Sequence, residues 1–172
     1  MTKAIILMGV SGCGKTAVGT RLSGTLGWPF FDGDDFHPDE NIAKMSQGIP
    51  LNDEDRATWL AKLHDLITEH LRAGISMLLV CSALKQKYRD QLREGNPGIV
   101  FVYLKGSYEL IFSRMQNRAS HYMKAGMLKS QFNTLEEPVE ALVVNIDQSI
   151  ESIVIQILDE LNLMNLRSNK GT

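Results

Sequence analysis

Cysteine is scarce in this sequence. Only two of the 172 residues are cysteines, Cys13 and Cys81, and they lie far apart without the spacing of a metal site. Neither has a nearby Cys or His partner. We therefore expect two reduced thiols and a cytoplasmic protein, which excludes a small disulfide-stabilised secreted domain.

Long hydrophobic runs and an excess of positive charge are also missing. The first apolar run, Ala4–Met8, stops at a glycine and is too short for a signal-peptide core or a membrane span. The chain has 18 Lys and Arg against 20 Asp and Glu, a net charge of −2. Without a basic surface field, neither nucleic acid nor an anionic membrane is an expected partner.

Repeats, low-complexity tracts and linkers are absent as well. With 44% hydrophobic and 22% charged residues, the composition is that of a globular domain. The length suits one domain with a full-sized core, which we expect over residues 1–166, followed by a frayed tail at 167–172.

Apolar runs alternate with helical patterns along the chain. Short apolar runs predict strands, and amphipathic or capped segments predict helices. The predicted strands are 4–8, 29–32, 77–81, 99–104 and 141–146, and the predicted helices are 15–26, 53–72, 85–94, 107–118 and 149–163. This alternation predicts an α/β fold with a five-stranded parallel sheet covered by helices on both faces.

A phosphate-binding motif follows the first strand and opens the first helix. It reads Gly9-Val10-Ser11-Gly12-Cys13-Gly14-Lys15-Thr16 and fits G-x-x-x-x-G-K-[ST] without a mismatch. Glycines let backbone N–H groups approach phosphate oxygens, and the helix N-terminus adds its positive dipole end. We expect these eight residues to bind ATP, with Lys15 on the β- and γ-phosphates and the Thr16 hydroxyl on Mg²⁺.

Several signatures of other P-loop proteins are missing. The nearest match to the guanine reader N-K-x-D is in the tail at 169–172 and lacks the aspartate, and a downstream ABC-type signature is absent. The third strand ends in Cys-Ser rather than in the usual metal-binding aspartate. These absences argue against a switch GTPase and an ABC-type ATPase, and they mean that some other acid must serve the metal.

The second strand supplies acidic residues at its carboxyl end. We expect that strand beside the P-loop strand, at the edge where open α/β sheets bind ligands. Asp32 is the candidate for holding Mg²⁺ through water, and Asp34 is the candidate for orienting the acceptor hydroxyl and accepting its proton. A solvated acidic turn is the alternative.

These motifs together resemble the bacterial gluconokinase family. The similarity includes the segments 8–16, 32–38, 41–45, 48–56, 59–60, 81–90, 92–93, 131–132 and 135–138, in order, over nearly the whole chain. The resemblance implies a nucleoside-monophosphate-kinase-like P-loop fold with a small helical lid at about 119–127, and a homodimer. It also implies Mg²⁺-dependent transfer from ATP to D-gluconate, giving 6-phosphogluconate. By the same resemblance, Arg114 lies against the adenine and Arg118 reaches the transferring phosphate.

Gluconate needs donors for its carboxylate and an acidic group near its primary alcohol. Arg56, Lys85 and Arg89 are candidate ligands for the carboxylate, with a solvated or salt-bridged helix face as the alternative. His37 is a candidate substrate contact or a packed turn residue.

Two rival functions stay open at this point. Another small-molecule kinase of the same build would act on shikimate, a nucleoside monophosphate or another sugar acid. A nucleotide-binding switch would bind ATP without transfer chemistry. The acidic residues Asp32 and Asp34 and the arginine-bearing lid argue against this alternative.

Overall fold

The computed structural model describes residues 1–117 and 125–166, without the side chain of residue 125. In this part of the chain five parallel strands form one sheet, in the spatial order β2-β3-β1-β4-β5. The strands are β1 (Ala4–Met8), β2 (Phe30–Asp32), β3 (Met77–Val80), β4 (Ile99–Lys105) and β5 (Leu142–Asn145). The predicted five-stranded parallel sheet is confirmed.

Seven α-helices lie in the described residues. They are α1 (Lys15–Leu26), α2 (Asp39–Ser46), α3 (Asp53–Arg72), α4 (Gln86–Arg93), α5 (Tyr108–Gln116), α6 (Ala125–Thr134) and α7 (Ile150–Glu160). The five predicted helices are confirmed to within a few residues at their ends. A 3₁₀ turn at Gly33–Phe36 and the helices α2 and α6 were not predicted.

The N-terminus of α3 is fixed by a reciprocal cap. The Asn52 side chain accepts from the Asp55 N–H at 2.8 Å, and the Asp55 carboxylate accepts from the Asn52 N–H at 3.0 Å. Both contacts satisfy backbone donors that the first turn leaves without helical partners. The predicted role of Asn52 as the cap is confirmed.

Alternate residues of β1 enter two separate hydrophobic clusters. Ile5 and Leu7 pack with residues of α1 and α7 on one face, whereas Ile6 and Met8 pack with α3 and α4 on the other. The period of two along a strand produces this division. The sheet is therefore buried on both sides, and its carboxyl edge is left for a site.

The sheet order corrects one prediction about the neighbourhood of the P-loop strand. We expected β2 beside β1, but β3 lies between them and pairs with both. The connection through α1 skips one position in the sheet, which β3 then fills. Asp32 pairs in register with Val80, so the tip of β2 is one strand further from the P-loop than expected.

Two predicted segments lie outside the described residues. Of the proposed lid at 119–127, residues 119–124 are not described, and residues 125–127 form the first turn of α6. The predicted tail at 167–172 is likewise outside. No helix in the described ranges is long and apolar enough to cross a bilayer.

Candidate active site

The loop between β1 and α1 has the backbone shape that its glycines permit. Gly12 has a φ of 81°, and a Cβ atom there would lie 2.8 Å from the Met115 side chain. The Lys15 ammonium group donates to the carbonyls of Gly9 at 2.9 Å and Val10 at 3.0 Å. The cation is thus held beside the loop, where it can exchange these carbonyls for phosphate oxygens.

A cavity opens beside this loop on the side of α1. Its wall includes Lys15, Thr16, Asp32 and Asp34, together with Gly12 and Gly14. Burial raises the pKa of Asp32, and the negative charges of Asp34 and Asp35 raise it further, while the Asp34 N–H and the Lys15 charge oppose the rise. The negative charges of Asp34 and Asp35, rather than the burial, would favour a cation near Asp32.

The donor set suits a hydrated hard cation. Thr16 and Asp32 offer a hydroxyl and a carboxylate on one cavity wall. Among the described residues no group of three or more His, Cys, Asp or Glu side chains could enclose a metal. Mg²⁺ keeps several waters and needs only one or two protein oxygens besides phosphate, so these residues fit it.

Asp34 is held at the tip of β2 by its neighbours. The Asp32 carboxylate accepts from the Asp34 N–H at 2.9 Å and so caps the 3₁₀ turn. A Cβ atom at Gly33 would lie 2.7 Å from the Val80 carbonyl, so this close approach to β3 requires glycine. Although 78% of the Asp34 side chain is accessible, desolvation in the cleft raises its pKa, and the charge of Lys15 opposes part of that rise.

A buried aromatic pair packs against this turn. The His37 ring stacks on Trp59 with a centroid distance of 4.2 Å, and the Trp59 indole N–H donates to the Gly33 carbonyl at 2.6 Å. Burial and the charge of Arg56 lower the pKa of His37 to about 4, with Asp32 opposing, so the ring is neutral at physiological pH. Trp59 is in the core, as the sequence predicted, and also supports the acidic turn.

The tautomer of His37 follows from its buried partner Asn41. The Asn41 amide nitrogen lies 3.2 Å from His37 Nδ1 and donates to the Asp55 carbonyl at 2.7 Å. Because an amide nitrogen only donates, Nδ1 is the acceptor and the ring proton is on Nε2. Nε2 lies 3.8 Å from an Asp34 carboxylate oxygen, too far for a direct hydrogen bond.

A second cavity lies on the other side of Lys15 and Asp34. Its wall includes His37, Arg56 and Trp59, with Ser82 and Leu84 after β3 and Met127, Ser130, Gln131 and Thr134 of α6. Lys15 and Asp34 line both this cavity and the one beside Thr16 and Asp32. The lysine and the aspartate therefore stand where the two cavities meet.

Comparisons with known proteins place this geometry in a family. The family model for shikimate kinase matches residues 11–162. The thermoresistant gluconokinase of Escherichia coli K12 is 48% identical over 158 residues, which cover 90% of each chain. The chain belongs to the gluconokinase family. The thermosensitive gluconokinase of the same strain is 50% identical over 147 residues, covering 84% of this chain and 79% of that one.

A solved gluconokinase supports the fold that the described residues adopt. The crystal structure of a gluconokinase from Sinorhizobium meliloti 1021 matches with a TM-score of 0.84 at 41% identity, covering 98% of each chain. The predicted resemblance to the gluconokinase family and the P-loop kinase fold are both confirmed.

Arg56, one of the predicted carboxylate ligands, lines the second cavity. Its guanidinium donates to the Leu51 carbonyl at 2.7 Å and to the Tyr88 hydroxyl at 3.2 Å, and it lies 5.4 Å from the centre of the Tyr88 ring. The alternative of a salt bridge to Asp53 or Asp55 is not found among the described residues.

Lys85 lies at the rim rather than in the cavity wall. Its ammonium group pairs with Asp53 at 2.9 Å, and the same carboxylate contacts Lys87 and the Tyr88 hydroxyl. Hydrogen bonds from Lys87, Tyr88 and Lys85 together hold the pKa of Asp53 well below its usual range. Asp53 thus contacts both Lys85 and the Tyr88 hydroxyl, and that hydroxyl in turn contacts Arg56.

Arg89 has a different position from the one predicted. It is buried, with 1% of its surface exposed, and donates to the carbonyls of Ala83 at 2.6 Å and Glu136 at 2.7 Å and to the Gln86 amide at 3.0 Å. Its spacing to Lys85 suggested a shared cationic face, but the guanidinium is turned into the protein. We correct its assignment from substrate ligand to structural residue.

The predicted ATP-binding residues lie around the loop. Val10 and Cys13 are buried, and Ser11 borders both cavities. Arg114 on α5 donates to the Ile146 carbonyl after β5 at 2.8 Å and lies outside both cavities. Arg118 lies outside the described residues, so its catalytic role stays a prediction.

Sequence reasoning missed the contribution of α6 to the site. Gln131 was recognised only as part of the family resemblance, yet its side chain binds the phosphate loop at Ser11. Asn41 and Tyr88 were also given no role. Their only sequence signal was membership of the same resembling segments.

Proposed function

We propose that this chain transfers the γ-phosphoryl group of ATP to O6 of D-gluconate, giving ADP and 6-phospho-D-gluconate. The observation that carries the proposal is the shared position of Lys15 and Asp34 between two cavities. The cavity lined by Thr16 and Asp32, which we call the donor cavity, adjoins the phosphate loop. The second cavity, which we call the acceptor cavity, presents Arg56 to an anionic acceptor. A phosphoryl donor and a sugar acid would meet at the boundary.

The phosphate loop binds the donor. Backbone N–H groups and the N-terminus of α1 surround the β- and γ-phosphates. The Lys15 ammonium group leaves the carbonyls of Gly9 and Val10, which it contacts at 2.9 and 3.0 Å, and binds phosphate oxygens. This exchange neutralises charge on the oxygens of the transferring group.

Asp34 orients the acceptor alcohol. The O6 oxygen forms a bond to the γ-phosphorus while the bond from that phosphorus to the β-bridging oxygen breaks, and ADP carries away the electron pair. The O6 proton passes to the Asp34 carboxylate and then to solvent. Because the transition state is loose, positioning contributes more than strong base catalysis.

Thr16 and Asp32 would hold Mg²⁺ in the donor cavity. When bound, the ion would neutralise negative charge on the triphosphate. The raised pKa of Asp32 reflects burial and nearby negative charge, which a cation at this point would relieve. Arg118 is proposed to reach the transferring phosphate, and Arg114 the adenine.

Arg56 recognises the carboxylate end of gluconate. A guanidinium binds a carboxylate through two parallel N–H donors, and this one already has its orientation fixed by Leu51 and Tyr88. Lys85 adds positive charge at the rim, and the neutral His37 ring forms part of the wall. The two ends of the acceptor would then be distinguished by charge.

An ADP-release assay across an acceptor panel tests the proposal. The panel contains D-gluconate, shikimate, AMP and related sugar acids, each with ATP and Mg²⁺. We expect ADP formation that depends on gluconate and is much weaker with the others. Turnover only with shikimate or AMP would assign the chain to another P-loop kinase, and none with any acceptor would favour a switch.

We further propose a cytoplasmic homodimer without nucleic-acid or membrane partners. The two cysteines are free and buried, in agreement with a reducing compartment. The edge strand β5 exposes Val143, which offers apolar surface to a second copy. Light scattering during gel filtration measures the assembly, and a mass of one chain would contradict the dimer.

A further inference from the structure

Gln131 on α6 has a side chain for which the proposed mechanism has no use. Its Oε1 atom accepts from the Ser11 N–H at 2.6 Å, which joins α6 to the phosphate loop. Both residues line the acceptor cavity, and Ser11 also lines the donor cavity. The contact therefore lies at the same boundary as Lys15 and Asp34.

This contact fixes the orientation of the carboxamide. A backbone N–H only donates, so the Gln131 atom that faces it must be the oxygen. The two N–H donors on Nε2 are left on the other side of the group. Within residues 1–117 and 125–166 no protein acceptor pairs with Nε2, so its donors are available to a molecule in the cavity.

We propose that Gln131 is a specificity-determining residue that donates from Nε2 to the hydroxyl oxygen next to the reacting end of the acceptor. The proposal rests on the function proposed above and adds a residue to it. Because the phosphate loop engages Oε1, the side chain offers only donors to the cavity. An acceptor with an oxygen at that point is favoured over one with a methylene group.

The loop contact also prepares the side chain before the acceptor arrives. A glutamine loses rotamer freedom when it is ordered at a binding site, and the bond to Ser11 accounts for part of that loss in advance. Ser11 belongs to the loop that binds ATP, so a correctly shaped loop and a correctly oriented carboxamide occur together. Gln131 lines the acceptor cavity and not the donor cavity, so the proposal predicts an effect of its Nε2 donors on the acceptor rather than on nucleotide affinity.

The test compares D-gluconate with 5-deoxy-D-gluconate in the wild type and in Gln131→Met. In the wild type we expect the deoxy acceptor to have a kcat/KM lower by about tenfold, the effect of one lost hydrogen bond to a bound hydroxyl. In Gln131→Met the two acceptors should differ by about twofold or less, because the donor is gone. The ATP dissociation constant, measured by calorimetry, should stay within about threefold of the wild type.

Two further variants keep the test decisive. Asn133→Met removes an exposed carboxamide from the same helix and should retain full discrimination between the acceptors. Gln131→Glu keeps an oxygen for Ser11 and so preserves the loop contact, but it puts a carboxylate in place of the donors. We expect it to lower kcat/KM for gluconate by more than about tenfold.

The outcomes separate this proposal from the function on which it rests. Unchanged discrimination in Gln131→Met, or wild-type kcat/KM in Gln131→Glu, would overturn the role of Gln131 while gluconate remained the acceptor. A wild-type chain that forms no ADP with gluconate would instead overturn the proposed function.

Discussion

Asp34 is the residue on which the chemistry depends most. Asp34→Asn keeps the size of the side chain but removes the negative charge that orients and finally deprotonates O6. We predict a loss of kcat of about 100-fold or more, with ATP affinity within about threefold of the wild type. Steady-state kinetics and calorimetry measure the two effects.

The neighbouring carboxylate provides a matched control. Asp35 is exposed on the same turn and does not line either cavity. Asp35→Asn should therefore keep wild-type turnover. Equal losses of kcat in the two variants would show that activity depends on the total negative charge of the turn. Asp34 would then have no specific role.

His37 gives a prediction for the pH dependence of stability. Burial, and to a lesser extent the charge of Arg56, lowers its pKa from 6.5 to about 4. Between pH 6.5 and pH 4 the unfolded chain therefore binds a proton at this ring, whereas the folded chain does not. Stability then falls as the pH drops through that window, by about 3 kcal/mol for the full shift. His37→Gln removes this contribution, and urea unfolding across the window measures the change in slope. Parallel pH profiles for the variant and the wild type would disprove the assignment.

At the residue scale, the sequence predicted what short motifs contain. Lys15 and Thr16 belong to one recognisable string and Asp32 and Asp34 to another, and all four line one cavity. Arg89 could not be placed in this way, because helical spacing alone does not say which way a buried guanidinium turns. Gln131 was missed because its partner Ser11 is 120 residues away in the sequence.

At the scale of secondary-structure elements, the contact between α3 and α4 holds Arg56 in position. Asp53 begins α3, Tyr88 is in α4, and the Tyr88 hydroxyl contacts both Asp53 and Arg56. Tyr88→Phe keeps the ring beside Arg56 and removes only the hydroxyl. We predict a KM for gluconate raised by about three- to tenfold with a smaller change in kcat. A rise in the KM for ATP alone would contradict this positioning role.

Arg89 joins α4 to the loops on either side of the acceptor cavity. It donates to the carbonyl of Ala83, whose φ of 45° is rarely adopted by residues other than glycine, and to that of Glu136. Arg89→Met should lower the free energy of unfolding by about 2–4 kcal/mol, because buried carbonyls lose their donor.

A nearby arginine tests that interpretation. Arg93 is on the same helix but pairs at the surface with Glu140 at 3.5 Å, so Arg93→Met should cost less than about 1 kcal/mol. Urea unfolding compares the variants. A normal unfolding curve for Arg89→Met, together with a much higher KM for gluconate, would restore the original assignment of Arg89 as a substrate ligand.

The elements themselves were predictable where their patterns were strong. The stripe of Trp59, Leu60, Leu63 and Ile67 on α3 is buried, and the apolar strands form the sheet. Helix α2 was missed because its eight residues bury only Asn41, so no apolar stripe marked it. The position of β3 between β1 and β2 depends on pairing between distant segments, which no local pattern encodes.

The whole molecule joins two cavities at one edge of a parallel sheet. The carboxyl ends of β1, β2 and β3 supply the phosphate loop, the acidic turn and the loop beside the acceptor. The family and the sheet architecture followed from the sequence, since the resembling segments extend over nearly the whole chain. The convergence of Lys15 and Asp34 on both cavities needed the three-dimensional arrangement.

The most direct test is a crystal structure of the chain with Mg²⁺, a non-hydrolysable ATP analogue and D-gluconate. The account predicts the triphosphate on the loop, with Lys15 on its terminal phosphate, and O6 of gluconate within hydrogen-bonding distance of the Asp34 carboxylate. The gluconate carboxylate should lie at Arg56. A complex in which the carboxylate end points to the terminal phosphate, or in which Asp34 contacts neither ligand, would contradict it.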